Sequence, residues 1–270
     1  MSDIFQAVDD LDPEARQRVI DRLEFRGTYA PFVKMREEYL DRLTLPPGAH
    51  VCELGCGTGV VSRAISARPG FDGTIVATDL SRTLVAEAQA RAKAEGIGNV
   101  TFRTDESGGS GEPDGSCDLV VLHTLIVHVG ATEPVLNEAA RIVKKGAPVV
   151  VFDGDYASLA CYCGKPSEDA RVIHALLETV VANPHVMREL PRLLHQAGLV
   201  TTDAKGDVLL EVGEAQYFDS LVQSYTPMAI RAGHLGQTEA EAWLESFRSA
   251  SHSHQFFGSC NFVTYFAEPA

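Results

Sequence analysis

The sequence lacks any long hydrophobic run, and none approaches the roughly 20 apolar residues that a transmembrane helix requires. Its first stretch, MSDIFQAVDDLDPEARQRV, is acidic and has neither the basic nor the apolar region of a secretory signal. We therefore expect a soluble, cytoplasmic protein without a membrane span.

Positive charge is scarce as well, and the cysteines form no recognisable framework. Lys and Arg number 23 against 37 Asp and Glu, so the formal net charge is −14 at pH 7. Because such a surface repels a phosphate backbone, we exclude nucleic acid as a partner. The six cysteines are scattered, and without a secretory signal we expect reduced thiols.

What the sequence does contain is a repeated alternation of short apolar runs with helix-length segments. The runs are AHVCEL (49–54), GTIVATDL (73–80), NVTFRTD (99–105), CDLVVLH (117–123) and APVVVFDGD (147–155). Nearly continuous apolar strands separated by helices are typical of a parallel sheet covered on both faces. We predict an α/β fold, a Rossmann-like doubly wound sheet, in a single domain over residues 1–270.

Segments before and after this core have other patterns. Residues 13 to 43 have helical periodicity after the candidate N-cap Asp12, and we assign 1–45 to a helical cover of a core at 46–160. Residues 161–270 contain helices and two late strand-like runs, VTTDAKGDVLLEV (200–212) and NFVTYFAE (261–268). We predict an antiparallel edge formed by these two strands and a helical lid inserted after residue 211.

The stretch VCELGCGTG (51–59) places three glycines within five positions, directly after the first apolar run. In an open α/β sheet this strand-turn-helix is where the backbone approaches a ligand. A dinucleotide site would need its third glycine at the position of Val60, and Glu53 would repel a pyrophosphate. A cationic ligand suits Glu53 better, and S-adenosylmethionine carries an ammonium, a sulfonium and no phosphate.

The letters ELGCGTG resemble the first motif of class I S-adenosylmethionine-dependent methyltransferases. DGSCDLVVLH, LNEAARIVKKG and VVVFD are similar to the family's fourth strand, following helix and fifth strand, so the resemblance covers about residues 30–155. HTLIVHV (123–129) is similar to the small-molecule subgroup that includes ubiquinone and menaquinone C-methyltransferases. Lys145-Gly146-Ala147-Pro148 departs from the usual proline-glycine-glycine, at a surface turn.

The resemblance implies S-adenosylmethionine as cofactor, released as S-adenosylhomocysteine. It assigns to the cofactor site Tyr29, Glu53, Gly55, Cys56, Gly57, Gly59, Asp79, Leu80, Asp105, Glu106, Leu122 and His123. In the family the glycine turn runs beneath the methionine and ribose. Asp79 is expected to accept the ribose hydroxyls, and Asp105 to face the adenine amino group. Tyr29 belongs to a helix that covers the cofactor in related enzymes, although an aromatic residue there is equally compatible with core packing.

Catalytic and acceptor residues follow less directly from the sequence. His123 is our candidate general base, because imidazole titrates near neutral pH; the alternative is a strand-end histidine that lines the pocket without titrating. Candidate acceptor contacts are Asp155, Tyr156, His185 and Tyr225, for which loop capping or core packing is the alternative. We expect no metal.

We therefore predict a methyltransferase acting on a small-molecule acceptor at oxygen, nitrogen or carbon, such as a secondary metabolite or a quinone-like compound. Two alternatives keep the cofactor: an enzyme of this fold that catalyses pericyclic or decarboxylative chemistry, and a non-catalytic S-adenosylmethionine-binding subunit. A monomer or a homodimer is expected.

Overall fold

The computed structural model describes residue 5, residues 7–105 and residues 109–270. Its strands are β1 (His50–Leu54), β2 (Thr74–Asp79), β3 (Val100–Thr104), β4 (Leu119–His123), β5 (Val149–Tyr162), β6 (Leu199–Gly213) and β7 (Phe256–Pro269). Its α-helices are α1 (Pro13–Thr28), α2 (Ala30–Leu40), α3 (Val60–Ser66), α4 (Arg82–Ala94), α5 (Thr132–Ile142), α6 (Pro166–Val180), α7 (Val186–Gln196), α8 (Tyr217–Ala232) and α9 (Gln237–His252). A short 3-10 helix, Val8–Asp10, precedes α1.

The strands form one sheet in the order β3-β2-β1-β4-β5-β7-β6. The first five pair in parallel, whereas β7 pairs antiparallel with both β5 and β6. The strand order reverses between β1 and β4, where a crevice opens at the carboxyl ends of the strands. The predicted Rossmann-like sheet with an antiparallel edge is confirmed.

Local sequence explains where several helices begin. The Asp12 carboxylate accepts a hydrogen bond from the Ala15 N–H (2.8 Å), and the Ser81 hydroxyl accepts one from the Leu84 N–H (3.1 Å). Both are N-caps that satisfy a helix-end donor, as the sequence predicts. No helix in the described ranges is both long and apolar enough to span a bilayer.

Two strands are longer than the sequence predicts. The apolar run of β5 was expected to end at Asp155, but the strand continues to Tyr162, and β7 begins at Phe256 rather than near residue 261. The two extensions pair with each other after a register shift between Asp155 and Ala160. Each supplies the backbone hydrogen bonds that the other needs, and this pairing cannot be read from either segment alone.

The amino-terminal helices and the late helices meet above the carboxyl edge of the sheet. Helix α1 packs against α2, α3 and α8, and α8 packs in turn against α6. Helices α8 and α9 lie between β6 and β7 in the chain, which is the place predicted for the helical insert.

Candidate active site

A cavity of about 250 Å³ lies at the carboxyl ends of β1, β2 and β4, beneath α1 and α2. Eight residues assigned to the cofactor site line it: Glu53, Gly55, Cys56, Gly57, Asp79, Leu80, Asp105 and His123. The parallel strands bring these residues together, because their carboxyl ends meet at one edge of the sheet.

The glycine turn requires glycine at both of its ends. Gly55 and Gly59 have φ of +71° and +77°, a left-handed conformation that other residues adopt at a cost. A Cβ atom on Gly55 would lie 2.5 Å from Leu125, and one on Gly59 would lie 2.6 Å from Phe102. Gly59 is outside the cavity lining and serves as N-cap of α3, so its requirement comes from packing.

Glu53 is a buried carboxyl at the end of β1. Its Oε2 accepts hydrogen bonds from the Ser62 N–H (2.9 Å) and from the Ser62 hydroxyl. Burial raises the pKa of Glu53 to about 7, because its charged form is poorly solvated, although the Ser62 hydrogen bonds oppose this effect. A cation in the cavity would favour ionisation of Glu53.

Asp79 and Asp105 continue this acidic row across the ends of β2 and β3. Asp79 accepts from the Gly57 N–H (2.8 Å) and from the Ser81 N–H (2.9 Å), so it links the glycine turn to the start of α4. Burial raises the pKa of Asp79. Asp105 accepts from the Gly109 N–H (2.9 Å). Backbone N–H groups thus fix Asp79 and Asp105 in place.

His123 ends β4 and faces the same cavity. Its ring stacks on Phe152, with 4.6 Å between the ring centroids, and its Nδ1 lies 2.9 Å from the Tyr39 hydroxyl. Burial lowers the pKa of His123 well below its usual value, and the nearby Arg26 and Arg36 lower it further. The imidazole is therefore neutral at neutral pH.

Two arginines in the roof of the cavity were not predicted from the sequence. Arg26 on α1 and Arg36 on α2 line it and are 6% and 9% exposed. The available signal was the helical spacing of Arg22 and Arg26, four residues apart beside the apolar Val19 and Leu23. A charged residue on the apolar face of a helix is informative because it is so seldom buried without a partner.

Three further assigned residues lie elsewhere or outside the described ranges. Tyr29 is half-buried and donates its hydroxyl proton to Glu211 (2.5 Å), away from the cavity lining. Leu122 is fully buried within the sheet, and its side chain faces the core. Glu106 lies outside the described residues.

The four candidate acceptor residues do not line this cavity. Asp155 forms an ion pair with Arg188 (2.9 Å), and the Tyr225 hydroxyl accepts a hydrogen bond from Arg22 (2.8 Å). Tyr156 and His185 line a second cavity of about 650 Å³ between the end of β5 and α6. Their roles as acceptor contacts stay predictions.

Potential metal ligands meet at the opposite, amino end of the strands. Single ligand atoms of His50, Glu112 and Cys117 lie within 4.8 Å of one another. His50 Nε2 is 2.6 Å from a Glu112 oxygen, and Arg103 donates to the other oxygen of Glu112 (3.0 Å). These contacts account for the buried Glu112 without a cation.

The cavity residues fit S-adenosylmethionine. The acidic row at the strand ends suits an ammonium, a ribose diol and an adenine amino group. The glycine turn lets the ligand approach the backbone, whereas a dinucleotide would be repelled by Glu53 and would need a glycine in place of Val60.

Comparison with known proteins also indicates a methyltransferase. Residues 51–146 match a family described as methyltransferase domain. The chain is 31% identical over 108 residues to the ubiquinone/menaquinone biosynthesis C-methyltransferase UbiE of Hydrogenovibrio crunogenus, which is 40% of this chain and 42% of that protein. It spans 34% to 59% of the length of eight curated relatives that it matches.

Solved structures share the fold. A putative methyltransferase from Bacillus halodurans superimposes with a TM-score of 0.61 at 15% identity, covering 87% of this chain and 99% of that one. Geranyl diphosphate C-methyltransferase from Streptomyces coelicolor, solved with Mg²⁺, geranyl diphosphate and S-adenosylhomocysteine, has a TM-score of 0.55 at 17% identity, covering 88% and 79%. At these identities the likeness establishes the fold alone.

Proposed function

We propose that this chain, which carries a class I S-adenosylmethionine-dependent methyltransferase domain, transfers the methyl group of S-adenosylmethionine to a small-molecule acceptor. The observation that carries the proposal is the acidic row of Glu53, Asp79 and Asp105 in one cavity with the glycine turn. A ligand with two cationic centres and a ribose complements this row, whereas a phosphate-bearing nucleotide does not.

Bound S-adenosylmethionine supplies an electrophilic methyl group to a nucleophile held in line with it. The chain's own contribution is alignment and the exclusion of water. Leu23, Phe32 and Leu125 give the cavity apolar walls, while Asp79 fixes the turn that carries Gly57. Such a site favours an acceptor that is largely apolar.

His123 is the proposed partner of the reacting hydroxyl, amine or activated carbon of the acceptor. When Nδ1–H of the neutral imidazole donates to the Tyr39 hydroxyl, Nε2 can accept a hydrogen bond from such a group. Because the pKa of His123 is well below its usual value in the protein without ligand, the ring holds a transferred proton only weakly. Its main role is therefore orientation, unless binding of the acceptor raises that pKa.

The proposal also includes a chemical class for the acceptor. The relative from Hydrogenovibrio crunogenus is named for C-methylation in ubiquinone and menaquinone biosynthesis, and another from Saccharothrix syringae is named nocamycin O-methyltransferase. The apolar walls of the cavity suit acceptors of both kinds. We propose a quinone-like or other secondary metabolite, methylated at carbon or oxygen.

Calorimetry followed by mass spectrometry tests the proposal. We expect the purified protein to bind both S-adenosylmethionine and S-adenosylhomocysteine. With a metabolite extract it should convert the first to the second and yield a product heavier by one CH₂ group. Product without that conversion would instead support cofactor-assisted rearrangement, and binding without any product would support a non-catalytic subunit. If neither cofactor form bound, the assignment of the cavity would be wrong.

A further inference from the structure

Arg26 is a buried cation that forms no ion pair within the described part of the chain. Its side chain is 6% exposed, and no hydrogen bond or ion pair to it is formed among the described residues. Its Nη2 is fully buried without an acceptor. Its guanidinium carbon lies 4.9 Å from the centroid of the Phe32 ring, and the side chain lines the cavity.

The neighbouring buried arginines differ from Arg26 in having acceptors, although Nη2 of Arg22 also lacks one among the described residues. Arg22 donates to the Tyr225 hydroxyl (2.8 Å) and to the Ser220 hydroxyl (3.1 Å). Arg36 donates to Glu37 (3.1 Å) and to the Gly27 carbonyl (3.2 Å). Because desolvation of a cation is costly unless an anion or hydrogen-bond acceptors compensate for it, Arg26 is the member of this group that a ligand would satisfy.

The nearby carboxylate of Asp153 does not form an ion pair with Arg26. Asp153 is fully buried at the end of the parallel part of β5 and accepts hydrogen bonds from the N–H groups of Gly154 (2.8 Å) and Val127 (3.2 Å). Arg26 influences Asp153 only through its longer-range field. The guanidinium of Arg26 can therefore pair with an anion bound in the cavity.

The position of Arg26 separates it from the acidic row. Its charge acts on His123 and Asp153, at the ends of β4 and β5, whereas Asp79 and Asp105 follow β2 and β3 on the other side of β1. Under the proposed function, the adenosine would lie over β2 and β3, so the acceptor has to occupy the side of His123.

We propose that Arg26 binds a carboxylate of the acceptor, and that the enzyme therefore methylates an acidic small molecule. The proposal rests on the proposed function for the placement of the cofactor. A guanidinium presents parallel N–H donors that match the two oxygens of a carboxylate, and the Phe32 ring beside it suits an acceptor with an aromatic or apolar body.

The carboxylate of S-adenosylmethionine does not remove the need for this partner. The cofactor carries one carboxylate, whereas two arginines, Arg26 and Arg36, line the cavity. An acceptor carboxylate at Arg26 would also reduce the positive field that lowers the pKa of His123. Binding of an acidic acceptor would thus make His123 a better proton acceptor in the complex than in the free protein.

Titration with a charged probe and its neutral analogue tests the proposal. Benzoate and benzamide have the same shape, and each is titrated into the full chain saturated with S-adenosylhomocysteine, in a buffer without other carboxylates. We expect benzoate to bind at least about tenfold more tightly than benzamide. Arg26→Met should abolish that preference and Arg26→Lys should retain part of it, while Arg192→Met, on the exposed face of α7, should leave it unchanged.

The Kd of S-adenosylhomocysteine and the Tm of the Arg26→Met variant distinguish acceptor binding from cofactor binding and from a structural role. If Arg26 serves the acceptor, Arg26→Met leaves the Kd of S-adenosylhomocysteine unchanged; a parallel loss would assign Arg26 to the cofactor carboxylate and overturn the proposal. Because the substitution removes an uncompensated buried charge, the Tm should stay equal or rise. A lowered Tm with no preference of the wild type for benzoate would mean a structural role and also overturn it.

The proposed function can fail independently of this inference. If the wild type did not bind S-adenosylhomocysteine, the methyltransferase proposal would fall, while the titration of benzoate against benzamide in the protein without cofactor would still test Arg26. Equal binding of the two probes in both forms would overturn the inference by itself.

Discussion

The two walls of the cavity carry charged groups of opposite sign. The strand-end wall carries the carboxyls of Glu53, Asp79 and Asp105, which accept hydrogen bonds from the N–H groups of Ser62, Gly57 and Gly109, at separations of 9, 22 and 4 residues. The helical wall carries the guanidiniums of Arg26 and Arg36 on α1 and α2, and Arg26 has no hydrogen-bond acceptor or ion-pair partner within the described residues. The carboxyls of the first wall have hydrogen-bond donors without a ligand, whereas Nη2 of Arg26 in the second has no acceptor among the described residues.

The two walls differ in the sequence separation of the contacts that hold them. The acidic carboxyls follow their strands directly, so a motif and its neighbouring strands place them. The roof depends on distant segments: Arg22 and Tyr225 are 203 residues apart, and Tyr29 and Glu211 are 182 apart. If the strand-end wall controls cofactor binding and the roof controls stability, substitutions in the two should have separate effects.

The largest effect is expected from Asp79→Ala. Loss of this carboxylate removes the acceptor of the Gly57 N–H and the proposed acceptor of the ribose hydroxyls. We expect the Kd of S-adenosylmethionine to rise about 100-fold, which is about 3 kcal/mol. Calorimetry measures it, with Asp114→Ala as a control on an exposed carboxylate. An unchanged Kd would remove the strand-end wall from the cofactor site.

The next effect is a contrast between two tyrosines of α8, the helix that packs against α1. Tyr225→Phe removes the acceptor of the buried Arg22 Nε–H, so we expect it to lower the free energy of unfolding by about 2 kcal/mol. Tyr217→Phe is the matched control, because its buried hydroxyl has no hydrogen-bond partner in the described part of the chain, and its loss should be neutral or stabilising. Denaturant unfolding compares the two. Equal destabilisation would show that burial, and not the Arg22 hydrogen bond, controls the roof.

A smaller effect is expected in the pH dependence of cofactor binding. Because the folded pKa of Glu53 is raised to about 7 from 4.5, its contribution to stability is full below the unfolded pKa and is lost as pH rises through 7. A cationic ligand prefers the ionised form, so affinity for S-adenosylmethionine should increase about tenfold between about pH 6 and pH 8. Glu53→Gln should weaken both the pH dependence of stability and the pH dependence of affinity for S-adenosylmethionine. A wild-type profile as flat as that of the variant would place the cation away from Glu53.

The smallest effect is expected from Tyr29→Phe. Glu211 keeps hydrogen bonds from the N–H groups of Gln216 (3.0 Å), Tyr217 (2.7 Å) and Phe218 (3.2 Å), so the loss of the Tyr29 hydroxyl should cost about 1 kcal/mol of stability. Because Tyr29 lies outside the cavity lining, the Kd of the cofactor should not change. A weakened cofactor complex would instead support the cofactor role predicted from the sequence.

Much of the strand-end wall was predictable because its information is local. Apolar runs define β1 to β4, the glycines define the turn, and each acidic residue follows its strand by position. The resemblance of ELGCGTG to a methyltransferase motif is confirmed by the match over residues 51–146. The end of β5 was predicted wrongly, since residues 156–162 become strand only through pairing with the start of β7.

The roof and the acceptor side were less predictable because they depend on contacts between distant segments. Tyr156 and His185 both follow the parallel core in sequence, yet they line a separate cavity beside α6. Arg26 lies beside apolar residues of α1, but the sequence of α1 does not show that this helix packs against α2 and α8. No local sequence pattern shows whether a buried guanidinium has a hydrogen-bond acceptor.

The doubly wound sheet, the glycine turn and the row of carboxyls at the strand ends follow from the sequence, since periodicity and left-handed glycines are properties of neighbouring residues. The packing of α1 and α2 over that row, and the lack of an ion pair at Arg26 within the described residues, depend on the tertiary structure. Burial and hydrogen-bond partnership are properties of the whole packing, and they determine which charged groups still require a ligand.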